Sequence, residues 1–144
     1  MIGFSRKSVY LMLSIIAFAS IIALFGKQAL AIEKCGSGER ITCVVDGDTI
    51  WYEGTKIRVL GYDTPEPMTN ICGGNREKQL AAAATSRFIQ LLNTHGFKIV
   101  STGEKDRYDR LLARILVNGE DVGVILIREG LARRYPNGRE FWCE

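Results

Sequence analysis

Val44-Val45-Asp46-Gly47-Asp48-Thr49-Ile50, followed one hairpin later by Ile57-Arg58-Val59-Leu60-Gly61-Tyr62-Asp63-Thr64-Pro65-Glu66, is the stretch that decides the fold. Short β-branched runs are broken here by Asp-Gly and Thr-Pro, the punctuation of strands that turn back on themselves. Between the two motifs, Ile50-Trp51-Tyr52 and the run 56–60 flank a Glu53-Gly54 turn signal, so residues 40–60 read as a meander of short strands. Hairpin-joined strands over 49–60 bring the acids of both motifs to one end of a sheet.

Outward from this stretch the period changes. After a loop rich in Pro, Asn and Gly, residues 76–93 place Leu80, Ala84, Phe88 and Leu91 on one face, which predicts an amphipathic helix. His95-Gly96 closes it, with glycine supplying a left-handed cap. Strands are expected at 97–100 and 112–117, then an Asn118-Gly119 turn and a short helix over 121–129 ended by Gly130. The strands cluster ahead of the long helix, which favours an α+β fold over a parallel α/β sheet. The expected form is a small, partly open five-stranded β-barrel carrying two helices.

Upstream, Arg6 and Lys7 precede an uncharged run over 9–25 and then Ala29-Leu30-Ala31, the layout of a secretory signal peptide helix. Residues 1–31 are therefore assigned to a signal peptide and 32–144 to one domain. The alternative is a membrane anchor, for which seventeen residues at ~1.5 Å each fall short of a ~30 Å hydrocarbon core. The formal charge of +3 comes from Arg6, Lys7 and Lys27, and without them sixteen basic residues face sixteen acids. A neutral domain must hold nucleic acid through a local basic patch, not through net charge.

All four cysteines, Cys35, Cys43, Cys72 and Cys143, follow this segment, and an even number in an oxidising compartment favours two disulfides. Zinc fits poorly, because the spacings are long, no Cys-x-x-Cys pair exists and His95 is the one histidine. Of the three pairings possible, Cys35–Cys43 across Gly36-Ser37-Gly38 and Cys72–Cys143 at the chain end are expected.

Asp46, Asp48, Asp63 and Glu66 crowd four carboxylates into twenty-one residues. Either motif alone is ordinary turn chemistry; together at one sheet end they can share a cation. An oxygen-only set selects a hard ion, calcium or magnesium. Arg58 lies in the strand feeding Asp63, and Asp106-Arg107-Tyr108-Asp109-Arg110 adds guanidinium beside an aromatic ring. Planar guanidinium pairs with phosphate oxygens, so metal, carboxylate base and arginine clamp make a phosphoryl-transfer set.

Through VVDGDTI, IRVLGYDTPE, DRYDRLLARI and EGLA, in that order, the chain resembles the staphylococcal nuclease-like (thermonuclease) family over residues 42–132. The resemblance implies an oligonucleotide-binding (OB) barrel with calcium, magnesium less so, held by Asp48, Asp63 and the Thr64 carbonyl, and with Asp46 shaping that site. It implies Glu66 as the general base, Arg58 and Arg110 as the catalytic phosphate clamp, and Arg107 and Tyr108 at the nucleotide. Taken with the leader pattern of residues 1–31, the expectation is an exported, secreted or periplasmic, monomeric endonuclease. DNA and RNA would be its substrates, the products would be 3′-phosphorylated, and no stable protein partner is implied. Membrane contact is expected only if the first segment is retained. The competing class is a non-catalytic OB-fold module binding nucleic acid or protein, which has no use for Glu66 or the metal carboxylates.

Two departures stand out. The family carries glycine where this chain has Asp109, which must then tolerate a left-handed backbone and is expected to point away from Arg110. After Ala132 no long final helix is expected, and a Cys143 disulfide takes over part of its anchoring. Arg133-Arg134-Tyr135 read as a solvated face or, alternatively, the lining of a nucleic-acid path, Trp51 and Trp142 as packing, and His95 as a helix-end surface residue.

Overall fold

The computed structural model describes residues 31–67 and 72–143. Residues 1–30, which carry all but the last residue of the predicted signal segment, lie outside the described residues. From Ala31 to Glu144 the chain is one compact unit.

Strands β1 (Cys43–Asp46), β2 (Thr49–Tyr52) and β3 (Thr55–Val59) form the expected meander. The β2–β3 hairpin turns on Glu53 and Gly54, both at positive φ (49° and 77°), and pairs Thr49 with Arg58. A register shift between Val44 and Asp46 bends β1 just before the Asp46-Gly47-Asp48 turn, as a bulge re-aims the side chains that follow it. β4 (Tyr62–Asp63) then leaves the sheet. Helix α1 spans Gly74–His95, about a turn longer in total than the pattern predicts. Ala81, Ala84, Phe88, Leu91 and Leu92 are buried, so the apolar stripe is the predicted one, shifted slightly off Leu80. Gly96 ends the helix at φ 66° and ψ 166°, a positive φ with extended ψ in place of the left-handed cap expected.

β5 (Lys98–Lys105), β6 (Leu111–Val117), β7 (Glu120–Asp121), α2 (Val122–Arg128) and β8 (Arg133–Arg134) complete the order, followed by a 3-10 turn at Phe141–Cys143. The sheet runs β1-β2-β3-β6-β5 with β7 beside β6; among the described strand pairs, β3–β6 is the parallel one. β4 and β8 make a separate two-stranded ribbon that carries no signal in the sequence.

The mixed sheet with two helices fits the α+β expectation, but among the described strands the ladder does not close into a five-stranded barrel. The free edge of β1 is taken by the segment before it, through Val44 N–H to the Glu33 carbonyl and Cys35 N–H to the Val44 carbonyl, both 2.8 Å. With those groups bonded, the middle of β1 cannot also pair with β5. Cys35–Cys43 staples that segment in place, and Cys72–Cys143 is the second disulfide, as expected. Val44, Ile50, Ile57, Val59, Tyr62, Phe88, Ile115 and Leu126 form the core between sheet and helices.

Candidate active site

The Asp46-Gly47-Asp48 turn is pinned from beneath. Tyr62, fully buried, donates its phenol hydrogen bond to the Gly47 carbonyl at 2.9 Å, and its burial raises the phenol well above its usual pKa, keeping it a donor. A side chain at Gly47 would meet Thr64 at 2.7 Å and Ala84 at 3.0 Å, so the turn can approach β4 and α1 only as glycine.

Asp48 is buried. Its Oδ2 accepts from the amide and hydroxyl of Thr64, each at 3.2 Å, and its Oδ1 accepts from the Thr49 hydroxyl at 3.0 Å and pairs with Arg58 Nη1. Arg58 Nη2 reaches Asp63 Oδ1 at 2.8 Å. One guanidinium therefore lies against both carboxylates. The two predicted ligands converge on a single point of positive charge, and the set is all oxygen, so the residues present fit a hard divalent cation.

Asp46, Asp48, Arg58, Asp63, Glu66, Arg107, Tyr108 and Arg110 line one cleft of about 740 Å³. Thr64 sits behind it, buried and turned towards Asp48. Partial burial raises the Glu66 carboxyl above its ordinary 4.5, reinforced by the nearby Asp46 and Asp63 charges and opposed by Arg58. Burial likewise raises Asp46, against hydrogen bonding by Thr49 and the charge of Arg58. Tyr108 stands 64% exposed with the Arg107 guanidinium 4.7 Å and that of Arg110 5.5 Å from its ring centre. A cation-backed aromatic open to solvent can stack on a base.

Asp109 has φ 62° and bonds Lys105 at 2.8 Å, away from Arg110 as expected. The partner of Arg110 is Asp106, whose Oδ2 takes the guanidinium at 2.7 Å while Oδ1 accepts the amides of Tyr108 and Arg110. An Asp opening a tight loop is an Asx-turn signal, and it is the one feature of the sequence that points to this role.

Arg133 corrects the expectation of a solvated face. It is 12% exposed at its side chain and holds Asp63 Oδ2 through Nε at 3.1 Å and Nη2 at 2.8 Å. Glu77, the acid in the first turn of α1, is 1% exposed and is a second site-supporting residue that the sequence does not mark. Nothing local in the sequence signals either partnership. Trp142 is buried, in keeping with a packing role.

Comparison with known proteins gives the family. The family model described as staphylococcal nuclease homologue matches residues 56–141. Endonuclease YncB of Bacillus subtilis (strain 168) is 38% identical over 98 residues, 62% of this chain and 44% of that protein. The thermonuclease of Staphylococcus intermedius is 33% identical over 109 residues, 70% of this chain and 62% of its own length. The chain thus spans less than two thirds of the relatives it matches. With both acidic motifs and both arginines brought into one cleft, and with more than half of its length matched by the family model, the chain belongs to the staphylococcal nuclease homologue family.

Proposed function

We propose that the protein is an exported, calcium-dependent endonuclease that hydrolyses DNA and RNA to 3′-phosphorylated products. The observation that carries this reading is the convergence of Asp48 and Asp63 on one cationic point, in a cleft shared with Glu66 and Arg110. A module that only binds nucleic acid needs no such pair of carboxylates with a raised-pKa acid beside them.

Asp48, Asp63 and the Thr64 carbonyl would hold the cation. When bound, it supplies Lewis-acid stabilisation of charge on the phosphate oxygens. Glu66 takes a proton from the attacking water, whose oxygen bonds to phosphorus as the P–O5′ bond breaks. A carboxyl raised above 4.5 is better matched to that proton than an ordinary one. Arg58 and Arg110 pair with the equatorial oxygens and steady the leaving O5′, and Asp106 presents Arg110 in a fixed plane. Tyr108, backed by Arg107, supports the adjoining base.

Export rests on the basic-apolar-small pattern of residues 1–31.

The test incubates the oxidised protein with single-stranded DNA and RNA in calcium, in magnesium and in chelator. Hydrolysis in calcium that chelator abolishes and Glu66→Ala removes is expected. Hydrolysis that persists in chelator, or with Glu66→Ala, overturns the mechanism. Amino-terminal sequencing of the exported protein should begin at Ile32, whereas Met1 recovered in membranes replaces export with a tether.

A further inference from the structure

Two independent routes join the last turn of the chain to the cleft. The first runs through Glu77. Its buried carboxylate accepts the backbone N–H of Glu66 at 3.4 Å on one oxygen, and those of Cys72 at 3.4 Å and Gly73 at 3.0 Å on the other. The reach back to Gly73, the helix N-cap, is a first-turn contact that any structural acid placed there could make. The bond to Glu66 is not, because it ties the backbone of the proposed base to the residue that forms the disulfide with Cys143.

The second route runs through Arg133. The same guanidinium that holds Asp63 also pairs with Glu140 at 2.8 Å and donates to the Gly138 carbonyl at 2.9 Å. Its carbon lies 5.9 Å from the Trp142 ring centre. Residues 140–143 thus touch the Asp63 partner on one side. On the other they press on Gly73, where an added Cβ would collide with the Trp142 carbonyl oxygen.

We propose that the Cys72–Cys143 disulfide is a redox switch on the active site, acting through Glu77 on the placement of Glu66 and through Glu140 and Arg133 on Asp63. Glu77 and Arg133 are positioning residues in this scheme. The covalent bond holds the last turn against both; without it that turn keeps the packing of the buried Trp142 and the half-exposed Glu140 contact but loses its tie to the residue whose amide Glu77 holds. Reduction is ordinary thiol exchange: a small dithiol gives two electrons, becomes a cyclic disulfide and leaves two protein thiols. The chain would stay inactive in a reducing compartment, among the nucleic acid of its own cell, and become competent on oxidation. The inference rests on Glu66 being the base.

The test uses the full chain carrying Cys35→Ser and Cys43→Ser, so that one disulfide remains to be reduced and re-formed. Reduction is expected to lower kcat about 100-fold, the scale of an ångström-sized misplacement of a catalytic group. KM should hold within about threefold, because the loss is of transition-state and not uniform binding. Far-UV circular dichroism should not change, the amides of Glu66 and Gly73 should exchange hydrogen faster, and re-oxidation should restore all of these. Glu77→Gln, which keeps one acceptor oxygen, should retain more kcat than Glu77→Ala. Should the serine background not fold, Cys72→Ser with Cys143→Ser and the other disulfide intact is read in the same way. Unchanged kcat on reduction overturns the proposal. Unchanged Glu66 exchange does so too, and so does collapse of the dichroism signal, which would make the effect global unfolding. If the oxidised protein hydrolyses nothing, the nuclease assignment falls, while the Glu66 amide still decides whether the coupling exists.

Discussion

Arg133 grips Asp63 from seventy residues away, with two nitrogens on the one carboxylate oxygen that Arg58 leaves free. Both groups are largely shielded from water, where a paired charge is held firmly and an unpaired one is costly. Arg133→Ala is expected to destabilise the protein by ~2 kcal/mol, the scale of hydrogen bonds to a charged group. Arg133→Lys should recover only part of this, because an ammonium cannot reproduce the two-nitrogen geometry. Urea denaturation at pH 7 measures both; equal stability of the alanine variant and the parent would remove Arg133 from the site.

Asp109 takes a left-handed φ of 62° while its carboxylate serves only Lys105, on the surface. Asp109→Gly is therefore expected to leave nuclease activity unchanged or raise it. Asp109→Val should destabilise by ~1–2 kcal/mol, since a β-branched residue pays the full cost of that conformation. Steady-state rates and thermal melts on the two variants check this, and a large loss of activity in the glycine variant would mean that Asp109 supports the clamp.

Tyr62→Phe removes the one donor that the phenol gives Gly47 and leaves a buried carbonyl unsatisfied. The expected cost is ~1–2 kcal/mol. Because Gly47 sits between Asp46 and Asp48, kcat should fall as well. A phenylalanine variant with parental stability and rate would show that the turn is held without Tyr62.

Arg87 on α1 bonds Glu129, at the end of α2, through Nε at 2.8 Å and Nη2 at 2.7 Å. Hydrogen bonding by Arg87 lowers the Glu129 carboxyl from its ordinary 4.5, against a smaller desolvation effect. A carboxylate with a lowered folded pKa contributes stability that is present above 4.5 and is lost as pH falls through the folded value. The melting-temperature difference between parent and Glu129→Gln should thus be constant at neutral pH and shrink towards zero in acid. A difference that grows as pH falls would contradict the pairing.

Much of this site is legible in the sequence because its determinants are local. The Asp-Gly and Thr-Pro breaks, the Glu53-Gly54 and Asn118-Gly119 turns and the helical stripe through Ala84 and Phe88 are set by backbone conformation and period within a few residues, and each appears where the pattern places it. Asp48, Arg58, Asp63, Glu66 and Arg110 are named through the motifs that carry the family resemblance, and the fold brings all five to one cleft.

The tertiary structure decided who pairs with whom. Arg133 reads as a solvated residue because a guanidinium shortly past a helix carries no local sign of a carboxylate seventy positions away. Glu77 reads like any acid opening a helix until the loop ahead of it folds its amides onto the carboxylate. The open edge of the sheet also depends on a distant choice, the segment at Glu33 and Cys35 bonding the amide and the carbonyl of Val44 on that edge. Strand, turn and helix follow from torsional preference and hydrophobic period, which a sequence carries residue by residue. The pairing of buried charges follows from which surfaces packing brings together, and that exists only once the chain is folded.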